Sequence, residues 1–165
     1  MLDEFVWNGA HIHLVVNEVP IMGALFALVL LVVAVLGNAR DGFVWAALVV
    51  LGVSFVGLLV AFFTGDPALA VISGAPRTSA TALSEHHVRA LVASGLFVVV
   101  AAVGVTAAIF ARRNGTFSRR SVLALLATTT LAGGALAWTG LAGGRINHPE
   151  LQGPNDRSSG PAHPH

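Results

Sequence analysis

Four long apolar runs, at about 12–36, 43–63, 88–111 and 122–141, decide what this chain can fold into. Each is close to the roughly 20 residues a helix needs to cross about 30 Å of hydrocarbon. Strands of a membrane barrel would be about ten residues long and would alternate apolar with polar residues, which these runs do not do. The pattern predicts an all-α, transmembrane four-helix bundle. Composition closes the alternatives. Of 165 residues, 55% are hydrophobic and 10% charged, with a mean hydropathy of +0.79. Soluble domains carry roughly 25% charged residues, so a water-soluble globular domain is excluded, as is a disordered chain. There is no cysteine, which removes disulfides, thiolate metal sites and cysteine nucleophiles. A net charge of +1 leaves no electrostatic footprint for nucleic acid.

Arginine placement predicts the orientation. The first loop, 38–42, holds Arg40, and the third, 112–120, holds Arg112, Arg113, Arg119 and Arg120. By the bias of basic residues toward the cytoplasm, these two loops face inward. Both termini and the second loop, 65–83, then lie on the outer side of the cell (inner) membrane, which the chain crosses several times. Residues 67–72 are expected to form a short interfacial helix. The opening MLDEFVWNGAHIH has no basic region before its apolar run, so the first span is expected to stay in the mature protein. Residues 1–152 read as one transmembrane domain and 153–165, rich in Gly, Pro and Ser, as a disordered polar tail. No motif is shared between the two helix pairs, which argues against an inverted-repeat transporter.

The histidines carry the chemistry. There are seven: His11, His13, His86, His87, His148, His163 and His165. His11 and His13 open the first span, His86 and His87 open the third, and His148 follows the fourth. An up-down bundle therefore gathers imidazoles from three parts of the chain at one boundary. His163 and His165 belong to the tail and read as solvated. Glu18 lies inside the first span, about 10 Å deeper than His11 at 1.5 Å per residue. A carboxylate at such depth marks a functional site by default. His11 and Glu18, seven apart, share one helical face, while His13 and Asn17 share another. Pro20 frees the carbonyl near Val16 and predicts a kink. Asp66, Glu85 and Glu150 add acids at the same level. His86 and His87 are adjacent, so they cannot both face the bundle. A single interfacial histidine is most often merely solvated; the set together with Glu18 points to a metal, a haem or proton handling.

Small residues give the helices their shape. Gly133, Ala137, Gly140 and Gly144 form a stripe on the fourth span, and Gly57, Ala61 and Gly65 form one on the second. Close helix packing is the ordinary reading of such stripes, and a flat groove for a porphyrin or quinone is the functional one. The threonines at 128–130 can satisfy their hydroxyls on their own helix.

The stretch His11-Ile-His-Leu-Val-Val-Asn-Glu-Val-Pro-Ile-Met-Gly23 resembles the opening of an uncharacterised bacterial family of four-helix integral membrane proteins. Three further motifs carry the resemblance: Thr64-Gly65 after the second span, Glu85-His86-His87 at the third, and Gly143-Gly144-Arg145-Ile146-Asn147-His148-Pro149-Glu150 at the end. It covers about 140 residues, everything but the tail. The resemblance implies the four-helix architecture, a boundary layer of histidines and a respiratory or haem-protein setting, and no specific activity. Relatives carry His at the Glu18 position and an acid at the His87 position. This chain has the two exchanged, which leads to the expectation that Glu18 and His87 approach each other across the first and third spans.

Three functions fit. The first is a b-type haem held by an axial pair drawn from His11 or His13 and His86 or His87, passing electrons between a membrane donor and other membrane or periplasmic redox subunits. The second is a transition-metal site for Cu, Fe or Zn, with Glu18, His148 and Glu150 joining the imidazoles. The third is a non-catalytic structural or assembly subunit whose polar layer is a hydrogen-bond network. No nucleophile or acid–base set of recognised geometry is present, so no reaction is assigned. The lipid bilayer is the one partner the composition requires.

Overall fold

The computed structural model describes residues 9–37, 40–72 and 80–147, and the expected polar tail lies outside them. Five helices follow in order: α1 (Gly9–Val16), α2 (Glu18–Leu36), α3 (Arg40–Ile72), α4 (Ala80–Asn114) and α5 (Arg119–Asn147). They make four spans long and apolar enough to cross a membrane, His11–Leu36, Arg40–Gly65, Leu83–Asn114 and Arg119–Gly144. The fold is the all-α four-helix bundle that the apolar runs predict.

α1 and α2 are one span with a break. Pro20 has no N–H to return to the carbonyl of Val16, and the helical ladder is interrupted at Asn17. The backbone there stays right-handed helical, at φ −58° and ψ −30°. Asn17 still donates its N–H to the His13 carbonyl at 2.9 Å. The break in the ladder therefore falls at Asn17, three residues before Pro20, with the backbone still helical there.

The helices overrun the apolar runs. α3 continues through Pro67 to Ile72, so the separate interfacial helix expected at 67–72 is instead its last turns. α4 begins at Ala80, well before the Glu85-His86-His87 motif. Neither Asp66-Pro67 at the end of α3 nor the polar residues Thr81, Ser84 and Glu85 at the start of α4 ends the helix, so the helices are longer than the apolar runs that mark them. His86 thus sits within a helix, held on both sides, where the sequence placed it at a helix start.

The α4–α5 connection is built by local chemistry. Gly115, at φ +78°, takes the left-handed conformation that ends α4. Ser118 caps α5: its Oγ accepts the Ser121 N–H at 3.1 Å, and its carbonyl accepts the Val122 N–H at 3.1 Å. The Asp41 carboxylate at the start of α3 accepts the Phe117 N–H at 3.2 Å, and Trp45 meets Phe117 edge to face at 5.1 Å between centroids. This end of the bundle is therefore fastened across three helices.

Packing proceeds in layers along the bundle axis, through Ala24, Phe97, Leu31, Val100, Leu125 and Val122 among others. α2 lies against α3 and α4 against α5, α2 closes on α5, and the contact of α3 with α4 is thinner than any of these. The α3–α4 seam is spaced by Phe55 stacked on Phe97, 6.4 Å between centroids. Elsewhere small residues bring backbones close. A Cβ on Gly57 would lie 2.8 Å from Val19 Cγ1, and one on Gly23 would collide with the Ser54 hydroxyl. The outward surface is a continuous coat of Val, Leu and Phe, with Phe63 73% and Leu141 69% exposed. Lipid is as apolar as these side chains, so dispersion and close fit, rather than the removal of surface from water, hold the helices together.

The threonine run behaves differently from the expectation. Thr128 and Thr130 donate to Ala124 and Leu126 carbonyls at 2.9 and 2.8 Å. Thr129 is fully buried, and its hydroxyl has no partner among the described residues. Thr128 also reaches the Leu125 carbonyl, at 3.2 Å, which is the acceptor Thr129 would otherwise use.

Candidate functional site

At the end of the bundle where α1 and α4 begin, two of the histidines turn inward. His13 donates Nδ1–H to the Ala61 carbonyl of α3 at 2.9 Å. Thr64 Oγ1 lies 3.4 Å from the same nitrogen, with its own hydroxyl donated to the Val60 carbonyl at 2.8 Å. His86 donates Nδ1–H to the Thr139 carbonyl of α5 at 3.2 Å. A carbonyl can only accept, so each bond fixes the tautomer with the proton on Nδ1. Nε2 of each ring is left as a lone-pair donor.

The two helix pairs use the same device. In each, a histidine on the first helix donates to a carbonyl on the second. In each, the residue four further along that second helix is a glycine lying against the ring. A Cβ on Gly65 would sit 3.7 Å from His13 Cε1, and one on Gly143 would sit 3.4 Å from His86 Cε1. The pairs α1/α3 and α4/α5 thus share a structural device, although no sequence motif is common to them. It escapes a sequence search because its parts are 48 and 53 residues apart and the acceptor is a backbone carbonyl of no fixed residue type.

Both rings border one cavity of about 60 Å³. Asn17, Ser94 and Thr139 contribute polar atoms or backbone to its wall; Ala61, Ala90 and Gly140 keep it open. Leu58, Phe62 and Leu136 make it apolar on the side of the hydrocarbon. A volume of that size holds an ion or a few waters.

Arg89 braces the site. Its guanidinium pairs with Glu85 at 2.7 Å, stacks 4.5 Å from the Trp138 ring centre and reaches the Trp138 carbonyl at 3.5 Å. His86 and Arg89 therefore grip consecutive carbonyls of α5. Sequence reading gave Arg89 no role at the site, although its place one helical turn from Glu85 and His86 was a usable signal; Trp138, on another helix, left none.

The remaining candidates lie elsewhere. His11 and His87 are exposed. Glu18 is exposed too, on the outward face it shares with Leu14, Met22 and Leu25. Among the described residues no hydrogen bond or ion pair joins Glu18 to His87. The shared face of His11 and Glu18 is the one turned from the core, and that of His13 and Asn17 is the one turned into it. His148 and Glu150, like His163 and His165, lie outside the described residues. Among the described residues no three histidines or acids gather closely enough to hold a metal ion.

The fold and this pair define a four-span helical bundle with two inward imidazoles at one boundary. In comparison with known proteins, the chain matches no family model, no curated protein and no solved structure.

Proposed function

We propose that the chain is a haem-binding membrane protein in which His13 and His86 are the axial pair, serving electron transfer at the outer boundary of the inner membrane. One observation carries the reading: two imidazoles on different helices, each with Nδ1–H fixed to a backbone carbonyl, face a common cavity. That second bond is how proteins orient a metal-ligating histidine and raise the basicity of its other nitrogen. The donor set fits a bis-histidine haem, and a bound haem supplies a one-electron redox centre. His13 and His86 would hold and orient it, Leu58, Phe62 and Leu136 would line it with apolar surface, and Gly65 and Gly143 leave room for the imidazole rings. The cavity of about 60 Å³ is smaller than a porphyrin, so a haem held by this pair would require neighbouring helices to part, and the α3–α4 seam is packed more thinly than α2–α3 or α4–α5. The arginine bias of the opposite end supports the outward orientation.

A second reading, a lone transition-metal ion between the same two nitrogens, is favoured by the cavity volume of about 60 Å³. Haem and metal content of the purified protein, from cells supplied with haem precursor, separates them. One haem per chain supports the first reading. Iron or copper without porphyrin supports the second. Neither, in a folded protein, overturns both and leaves the histidines as structural fasteners between helices.

A further inference from the structure

The end of the bundle opposite the histidines carries a charge that no described residue neutralises. Arg112 and Arg113 close α4, Arg119 and Arg120 open α5, and all four are exposed. Arg40 opens α3 at the same end, drawn to the α4–α5 turn by the Asp41–Phe117 hydrogen bond and the Trp45–Phe117 contact. Asp41 is the one acid there among the described residues, and its carboxylate is engaged by the Phe117 N–H. The single ion pair among the described residues, Arg89–Glu85, is at the other end. Arg112 alone has a partner, the face of Trp45 at 5.6 Å.

We propose that this end binds anionic phospholipid headgroups, with Arg112, Arg113, Arg119 and Arg120 as the principal ligands and Arg40 beside them. Five guanidiniums against one engaged carboxylate call for a ligand of net negative charge, and guanidinium is the side chain best matched to phosphate oxygens. About one helical turn deeper, Ile109, Phe110 and Leu123 are exposed apolar surface continuous with the arginines. A ligand with a phosphate head and acyl tails satisfies both surfaces at once; a free phosphate satisfies only the first. Trp45, at the join, is the aromatic residue expected at headgroup level.

The test is native mass spectrometry of the full chain released from vesicles of equal phosphatidylglycerol and phosphatidylcholine. The proposal predicts preferential retention of phosphatidylglycerol, falling about five-fold for each arginine replaced. R119Q/R120Q is the primary variant, because these side chains hydrogen-bond to no other described residue and their loss spares the Arg112–Trp45 contact. R89Q, at the other end and already paired, leaves the preference unchanged. Equal retention of the two lipids by the wild-type protein overturns the proposal without recourse to any variant. So does a preference that survives R119Q/R120Q in folded protein, or one abolished by excess inorganic phosphate.

Discussion

Gly23→Ala is the sharpest test of how the first span is seated on α3. An ideal Cβ at Gly23 would overlap the Ser54 hydroxyl and lie 3.0 Å from Ser54 Cβ. Carbon atoms pack at roughly 3.5–4.0 Å, so the helices must separate by about half an ångström or Ser54 must turn away. Ser54 is buried and donates to the Val50 carbonyl at 2.7 Å, so turning it costs that bond. Overpacking costs about 1–3 kcal/mol, and turning Ser54 away instead costs its hydrogen bond, about 0.5–1.5 kcal/mol; the cheaper response sets the loss, so G23A is destabilised by roughly 1–2 kcal/mol. Ser54→Ala removes the obstructing oxygen and, since its bond is to its own helix, costs about 1 kcal/mol or less. The double variant then recovers part of the loss, with a coupling of about 1–2 kcal/mol. Helix content followed through a denaturing-detergent titration measures all three. A G23A protein within about 0.5 kcal/mol of wild type, or additive effects in the double variant, would refute the packing described for α2 and α3.

Other consequences can be checked with the same preparations. Gly143→Val puts a branched side chain where a Cβ alone would be 3.4 Å from His86 Cε1. It should weaken cofactor binding roughly 10–100-fold by displacing the ring, as loss of an orienting group does, and a spectroscopic titration with haemin would show it. Asp41→Ala removes the acceptor of the Phe117 N–H and should destabilise the bundle by about 1 kcal/mol without changing cofactor content; a loss of cofactor would mean that the two ends are not independent. Glu18→Gln and His87→Ala, at exposed positions outside the pair, should leave cofactor content at the wild-type level, and depletion by either would return it to the ligand set.

The spans were legible because hydrocarbon imposes a single length and a single composition on a crossing helix, so 43–63 or 122–141 admits no other reading. Their ends were not, because a helix need not stop where the sequence reads as a connection: Asp66-Pro67 looks like a stop yet α3 runs on to Ile72, and Thr81, Ser84 and Glu85 look like loop yet already belong to α4. The site was legible by residue type and by end, since the spacing of His13 and His86 from the apolar runs puts both at one boundary. Which face each histidine presents was not. His86 and His87 differ only by rotation about the helix, and that rotation is set by what α5 offers, a carbonyl at Thr139 and an open space at Gly143. Glu18 misled for a related reason: depth in the sequence says nothing of direction, and position 18 falls on the same outward face as Leu14 and Met22. Backbone carbonyls as acceptors leave no trace in residue types, so the shared histidine–carbonyl–glycine device of the two helix pairs emerges only in three dimensions.

The account rests on His13 and His86 acting together on one cofactor. A reduced-minus-oxidised absorption spectrum of the purified protein tests this most directly, with His13→Ala, His86→Ala and His87→Ala measured beside the wild type. The account predicts a Soret shift with α and β bands in the wild type and in His87→Ala, and their loss or collapse in each of the other two. A featureless wild-type spectrum from haem-replete cells, or bands that survive unchanged in both His13→Ala and His86→Ala, would contradict it.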